Sequence, residues 1–116
     1  MLPRKNRFPL RKEPDFFRTA NFYKDKGFLL YWKNSAQPIF RIAIVVPKTR
    51  ISKATERNKV KRVLTGWLGS LHIARSIPNV DAALIFLSSK KTYQEARRIA
   101  VALPSLLQSL VEKSRT

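Results

Sequence analysis

The chain has 116 residues, with 24 Lys and Arg against 7 Asp and Glu, a formal net charge of +17, and 44% of its residues are hydrophobic. This length and composition fit one small domain with a modest core. The absence of Cys excludes disulfide scaffolds and thiol nucleophiles, and the lone His72 cannot form a histidine metal site by itself. So basic a chain predicts a polyanionic partner, either nucleic acid or an acidic membrane surface.

The N-terminal region combines a basic arm with a first helix. Residues 1–12 alternate Lys and Arg with Pro, Phe and Leu without a period, which predicts an extended arm whose order the sequence leaves open. A helix is expected from Glu13–Pro14, because Pro suits the first helical position, and Gly27 can end it. Helical spacing places three residues on one face of this helix: Phe16, Ala20 and Tyr23.

Two strands follow. Residues 28–33 are predicted as the first, and residues 34–38 form a turn by composition. Residues 40–46 are predicted as the second, and Pro47 ends it. Because both faces of this second strand are apolar, we expect a central strand that is covered on both sides.

A basic loop at residues 48–52 precedes the second predicted helix, which Ser52 or Thr55 can cap. At about 100° per residue, apolar and basic side chains separate onto opposite arcs of this helix. The apolar arc contains Val60, Val63, Leu64, Trp67, Leu68 and Leu71, and the opposite arc contains Asn58, Lys59, Lys61 and Arg62. Arg57 lies nearer the apolar side in the first turn, and Gly69 with residues 78–79 marks the exit.

The C-terminal part is predicted as a strand at residues 80–87 followed by a third helix. Thr92 and Glu95 have the spacing of a capping box, and Pro104 is expected to kink or split the helix. The order helix, strand, strand, helix, strand, helix predicts an α+β sandwich of helices on a short sheet, in a single domain. No apolar run is long enough for a membrane span or a signal peptide, so we expect a soluble, cytoplasmic protein.

The positive charge is concentrated in one segment. Residues 41–62 carry eight basic side chains against Glu56 alone, which gives +7 of the total +17. Since Glu56 is the only acid within this row to offset it, we expect the row to be compensated by an external anion, and nucleic acid is the partner that such a row fits.

Aromatic residues are concentrated at residues 16–32, interleaved with Lys and Arg. Aromatic rings beside cations bind unpaired bases by stacking, but in a small domain we expect about two-thirds of them to lie in the core. Tyr31 and Trp32 are neighbours on a strand, so they must point to opposite faces.

The segment from Arg41 to Arg62 resembles the protein subunit of bacterial ribonuclease P. The resemblance rests on Arg41, Ala43, Val46 and Lys48, and on the motif Arg57, Asn58, Lys59, Lys61 and Arg62. Weaker similarities extend over nearly the whole chain: Leu2 to Arg7, Asp15–Phe16, Phe28 to Tyr31, Val80 to Phe86, and Thr92, Tyr93 and Glu95. The second arginine of the family motif is Lys59 here, which replaces a bidentate phosphate fork with a point charge.

The resemblance implies a fold like the second domain of ribosomal protein S5, with a left-handed βαβ crossover around the basic helix, where the general rule would give a right-handed one. It implies a monomer that binds the catalytic RNA subunit in a 1:1 holoenzyme, and that assists removal of the 5′ leader from precursor tRNA. No cofactor or metal is expected on the protein, and Mg²⁺ would serve the RNA-catalysed reaction. The RNA-subunit contacts implied are Lys53, Arg57, Asn58, Lys59, Lys61 and Arg62, and the leader contacts are Phe16, Tyr31, Arg41 and Lys48.

Four alternative functions differ in the residues that they require. A protein-borne nuclease is disfavoured because the acids are scattered and there is no second His for acid–base work. A ribosomal protein of similar fold would share the charge without needing the motif helix. The three predicted strands disfavour a DNA-binding helix-turn-helix module. A membrane-binding helix is disfavoured because its apolar arc would have to be exposed, whereas the core of this domain needs that arc buried.

Overall fold

A computed structural model describes residues 4–35, 37–68 and 78–115 of the chain. The elements are α1 (Phe16–Thr19), β1 (Asn21–Asp25), β2 (Phe28–Asn34), β3 (Arg41–Val45), α2 (Ala54–Leu68), β4 (Val80–Phe86) and α3 (Thr92–Arg115). The fold is α+β, as predicted. Gly69, Leu71 and His72 of the sequence analysis lie outside the described residues.

The first helix is much shorter than predicted, and the prediction of a helix reaching Gly27 is wrong. Residues 21–25 instead form β1, which pairs antiparallel with β2 and adds a strand that the sequence analysis missed. The hairpin turns at Gly27, whose φ of 90° favours glycine. The Gly27 carbonyl accepts a hydrogen bond from the backbone of Leu87 at 2.8 Å, which fixes the turn against the end of β4.

The sheet has the order β1-β2-β4-β3, with β3 and β4 parallel and the other pairs antiparallel. The chain from β3 through α2 to β4 is therefore the βαβ unit that the family resemblance implies. The prediction that residues 40–46 form a central strand is wrong, because β3 lies at the edge. The inner strands are β2 and β4, and β4 is almost wholly buried.

Helices α2 and α3 cover one face of the sheet and enclose the main core. Val60, Leu64 and Leu68 of α2 are buried, as the helical spacing predicts, but Trp67 is 43% exposed, so its assignment to the core is wrong. The third helix continues through Pro104 as one element, so of the two predicted effects of Pro104, a kink or a split, the split is wrong.

The N-terminal segment, residues 4–12, packs along the outer edge of β3. It forms two short 3₁₀ turns, Arg4–Asn6 and Leu10–Lys12, which differs from the extended arm predicted. Arg7 forms a β-bridge with Ile42, and the backbone N–H of Phe8 donates to the Ile42 carbonyl at 3.0 Å. The buried Asn6 side chain donates to the carbonyl of Phe40 at 2.8 Å. Part of this segment therefore belongs to the folded domain and covers the open edge of the sheet.

Candidate nucleic-acid interface

The exposed arc of α2 carries the first candidate surface. Its side chains are exposed and have no ion-pair partner within the described residues, so their charge is available to an external anion. We call this set, together with Lys53 directly before the helix, the cationic helix face: Lys53, Asn58, Lys59, Lys61 and Arg62. The opposite arc packs on the sheet, which fixes the orientation of the cations on one rigid element.

Lys61 lies at one side of this face, about 100° around the helix from Arg62. It lines a groove of about 530 Å³ between the N-terminal segment and the edge of β3. Arg11 and Lys12 lie on the other side of this groove. The cationic surface therefore extends from α2 towards the N-terminal segment.

Arg57 is hydrogen-bonded to the protein's own backbone. Its Nη1 donates to the carbonyls of Ile51 and Ser52 at 3.0 and 2.7 Å, which joins the first turn of α2 to the preceding loop. Its side chain is half-buried, in contrast to Lys59 and Arg62. Arg57 thus fixes the end of the basic loop, residues 48–52, against α2. Lys48, at the other end of this loop, is exposed.

The second candidate surface lies on the sheet face opposite the long helices. Tyr31 and Phe22 are paired across β2 and β1, with ring centroids 5.0 Å apart. Phe17, from α1, meets Tyr31 edge-on at 4.7 Å. Phe17 and Phe22 are exposed by 42% and 55%. We call these three residues the aromatic face.

Two of these three residues were not among the predicted sites. The strand alternation of residues 21–25, with Phe22 and Lys24 on the face opposite Tyr23, is the pattern that would have found Phe22. Tyr31 and Trp32 do point to opposite faces, as predicted, since Trp32 is buried in the main core while Tyr31 joins the aromatic face.

Phe16 is only 1% exposed and lies in a second small core with Phe8 and Ala83. Its ring centroid is 4.7 Å from that of Phe8, and the Nζ of Lys33 lies 5.4 Å above it. Phe16 therefore supports the aromatic face from below, where its ring is not accessible to a ligand.

Arg41 is engaged in an ion pair with Asp81. Its Nε and Nη2 donate to the two carboxylate oxygens at 2.8 and 2.9 Å, and these hydrogen bonds raise the pKa of Arg41 above its ordinary value. The guanidinium also lies 5.2 Å from the ring centroid of Phe8. Its charge is neutralised within the fold, which argues against a primary role in binding an external phosphate.

Among the described residues, no three or more His, Asp or Glu side chains come together in a way that could hold a metal ion. No helix in this part of the chain is long and apolar enough to cross a membrane.

The comparison that decides the family covers almost the whole chain. Residues 2–110 match the family model described as Ribonuclease P. The chain belongs to this family. No curated protein matches it.

Solved structures of the Ribonuclease P family have the same fold. The RNase P protein of Thermotoga maritima, in complex with 1-(4-fluorophenyl)-2-thiourea, is 26% identical, with a TM-score of 0.68 over 87% of this chain and 96% of its own. The RNase P protein of Staphylococcus aureus is 19% identical, with a TM-score of 0.69 over 91% of this chain and 94% of its own. Family membership thus identifies the chain as a protein subunit of RNase P and a partner of the RNase P RNA, and it disfavours the ribosomal-protein alternative.

Proposed function

We propose that the chain binds the RNase P RNA through the cationic helix face and the single-stranded 5′ leader of precursor tRNA through the aromatic face. The observation that carries the proposal is the cationic helix face itself, in a member of this family: a row of exposed cations on one packed helix.

Binding to the RNA subunit follows from the charge and its rigidity. Lys59 and Arg62 project from a helix whose other side is buried, so the backbone is already ordered and only the two side chains lose conformational entropy when they contact phosphates. Each phosphate contact releases condensed counterions, and the affinity is expected to fall steeply with salt.

Binding to the leader follows from the aromatic face. Tyr31, Phe22 and Phe17 offer adjacent ring surfaces on which unpaired bases can stack, and Lys24 and Lys33 share this sheet face and supply positive charge. Base-paired RNA hides its rings, so the face favours single strands. Arg41 contributes to this function as the residue that holds β3 and β4 together, and Phe16 as the support of the rings.

We assign the cleavage chemistry to the RNA. A protein nuclease needs grouped carboxylates or an acid–base pair of histidines, and the one His of this chain has no second His to work with. The RNA would then bind the Mg²⁺ of the reaction. The protein would be a monomer that binds the RNA in a 1:1 complex in the cytoplasm.

Reconstitution with a bacterial RNase P RNA tests this function. At low Mg²⁺ the protein should restore removal of the 5′ leader from precursor tRNA, and the Lys59→Gln/Arg62→Gln variant should need a much higher protein concentration to do so. The protein alone should cleave nothing. Cleavage by highly purified protein without RNA, or no stimulation of the RNA, would refute the proposal.

A further inference from the structure

An exposed aromatic surface lies on the helical layer, on the side of the molecule away from the aromatic face. Trp67 of α2 and Tyr93 of α3 are each 43% exposed, and Val101 is 53% exposed. The other tryptophan, Trp32, is only 3% exposed. Contiguous exposed apolar surface of this kind marks an interaction site.

Two depressions in this surface share one residue, Arg97. The first is lined by Tyr93, Gln94, Arg97, Arg98, Val101 and Ala102, and the second by Val63, Gly66, Trp67 and Arg97. Arg97 thus lies between the two rings, on the line where α2 and α3 pack together. We call Trp67, Tyr93 and Arg97 the helical patch.

The charge around the helical patch is positive. Arg97 has no ion-pair partner within the described residues, whereas the neighbouring Arg98 is paired with Glu95. Lys90 and Lys91 are exposed just before α3, and Lys59 precedes Val63 by one helical turn. A second copy of the chain would bring these cations and two net charges of +17 together, which is unfavourable. The combination of rings and cations instead fits a ligand with both bases and phosphates.

We propose that the helical patch is a second contact for the RNase P RNA, in which unpaired bases stack on Trp67 and Tyr93 while Arg97 binds the adjoining phosphate. This inference rests on the proposed function. The RNA subunit is the occupant because the patch continues from the cationic helix face along α2, whereas the proposed leader surface lies across the sheet. The RNA would then contact both α2 and α3.

Trp67 supplies a direct readout. Because Trp32 is buried, acrylamide quenching of the protein's fluorescence reports mainly on Trp67, and the Trp67→Phe variant gives the background. A bacterial RNase P RNA at saturation should protect Trp67 from acrylamide at least severalfold. The same protection is expected in a Tyr31→Ala variant, since that change affects only the aromatic face.

Affinity measurements separate stacking from charge. Trp67→Ala and Tyr93→Ala should each weaken RNase P RNA binding about tenfold with an unchanged salt dependence, and Trp67→Phe should retain most of the affinity. Arg97→Gln should lower the slope of log K against log salt by roughly one. Arg97→Gln changes an exposed charge and should unfold at the wild-type temperature. The rings of Trp67 and Tyr93 are more than half buried, so their alanine variants should unfold at a lower temperature, and binding is measured where all variants remain folded.

The outcomes distinguish this inference from the function on which it rests. Loss of binding in Lys59→Gln/Arg62→Gln, together with an unprotected Trp67 and unchanged affinity of Trp67→Ala, would refute the helical patch and leave the proposed function intact. Self-association of the free protein that Trp67→Ala abolishes would also refute it, because the occupant would be a second copy. Failure of the RNA to bind wild-type protein at all would refute the proposed function itself.

Discussion

Arg41 and Asp81 face each other across the parallel strands β3 and β4 and form a two-point ion pair, with side chains only 15% and 6% exposed. Because Arg41 also lies against the ring of Phe8, the pair joins the N-terminal segment, the edge strand β3 and the inner strand β4. A guanidinium held in this way fixes the N-terminal segment and β3 relative to β4.

Removing either partner should destabilise the fold strongly. Asp81→Asn and Arg41→Gln should each lower the free energy of unfolding by about 3 kcal/mol, since each leaves a largely buried group without its counter-charge. The double variant should lose less than the sum of the two, and urea denaturation measures all three. The exposed pair Arg18–Asp15, with side chains 76% and 69% exposed, is the matched control, and Asp15→Asn should barely change the stability. A loss of leader affinity by folded Arg41→Gln, with no loss of stability, would contradict the positional role.

The neighbours Phe16 and Phe17 provide a matched test of the aromatic face. Phe17→Ala should weaken precursor tRNA binding several-fold with little change for mature tRNA, because it removes an exposed ring beside Tyr31. Phe16→Ala should instead lower the free energy of unfolding by about 3 kcal/mol, since it leaves a cavity under Phe8 and Ala83. Equal losses for precursor and mature tRNA in Phe17→Ala would exclude a leader contact.

The sequence predicts α2 well because its two arcs are a local property of one helix, readable from period alone. The helix predicted through residues 16–25 is wrong in its second half. Phe16, Ala20 and Tyr23 have helical spacing, but pairing with β2 makes residues 21–25 a strand. The position of β3 at the sheet edge cannot be read from its apolar residues, because the N-terminal segment buries that edge as a neighbouring strand would. The ion pair of Arg41 likewise cannot be predicted from the sequence, since 40 residues separate Arg41 from Asp81.

The salt dependence of RNA binding tests the cationic helix face. The Lys59→Gln/Arg62→Gln variant should lower the slope of log K against log salt by roughly one for each lost phosphate contact, without changing stability. Arg18→Gln is the control, because this exposed arginine lies on α1, on the sheet face opposite the long helices, and is paired with Asp15. Binding measured between about 50 and 200 mM salt resolves the slopes. Equal slopes for the double variant and wild type would remove these residues from the interface.

Arg57 should behave differently from its neighbours on α2. Arg57→Gln removes both hydrogen bonds to the loop carbonyls and should lower the free energy of unfolding by about 1–2 kcal/mol, whereas Lys59→Gln should leave it unchanged. Thermal unfolding of the two variants measures the difference. A variant that unfolds like wild type but loses salt dependence as Arg62→Gln does would place Arg57 on the RNA instead.

Two glycines have opposite roles, and alanine at each should change stability with opposite sign. Gly27→Ala should destabilise the fold by at least about 1 kcal/mol, because φ is positive and the new Cβ would lie 2.7 Å from the Ser88 Oγ. Gly66→Ala should stabilise it by up to about 1 kcal/mol, since a Cβ there meets no atom within 4 Å and alanine favours the helix. Urea denaturation of both variants measures the two effects, and destabilisation by Gly66→Ala would mean that the end of α2 is packed more tightly than its open surroundings indicate.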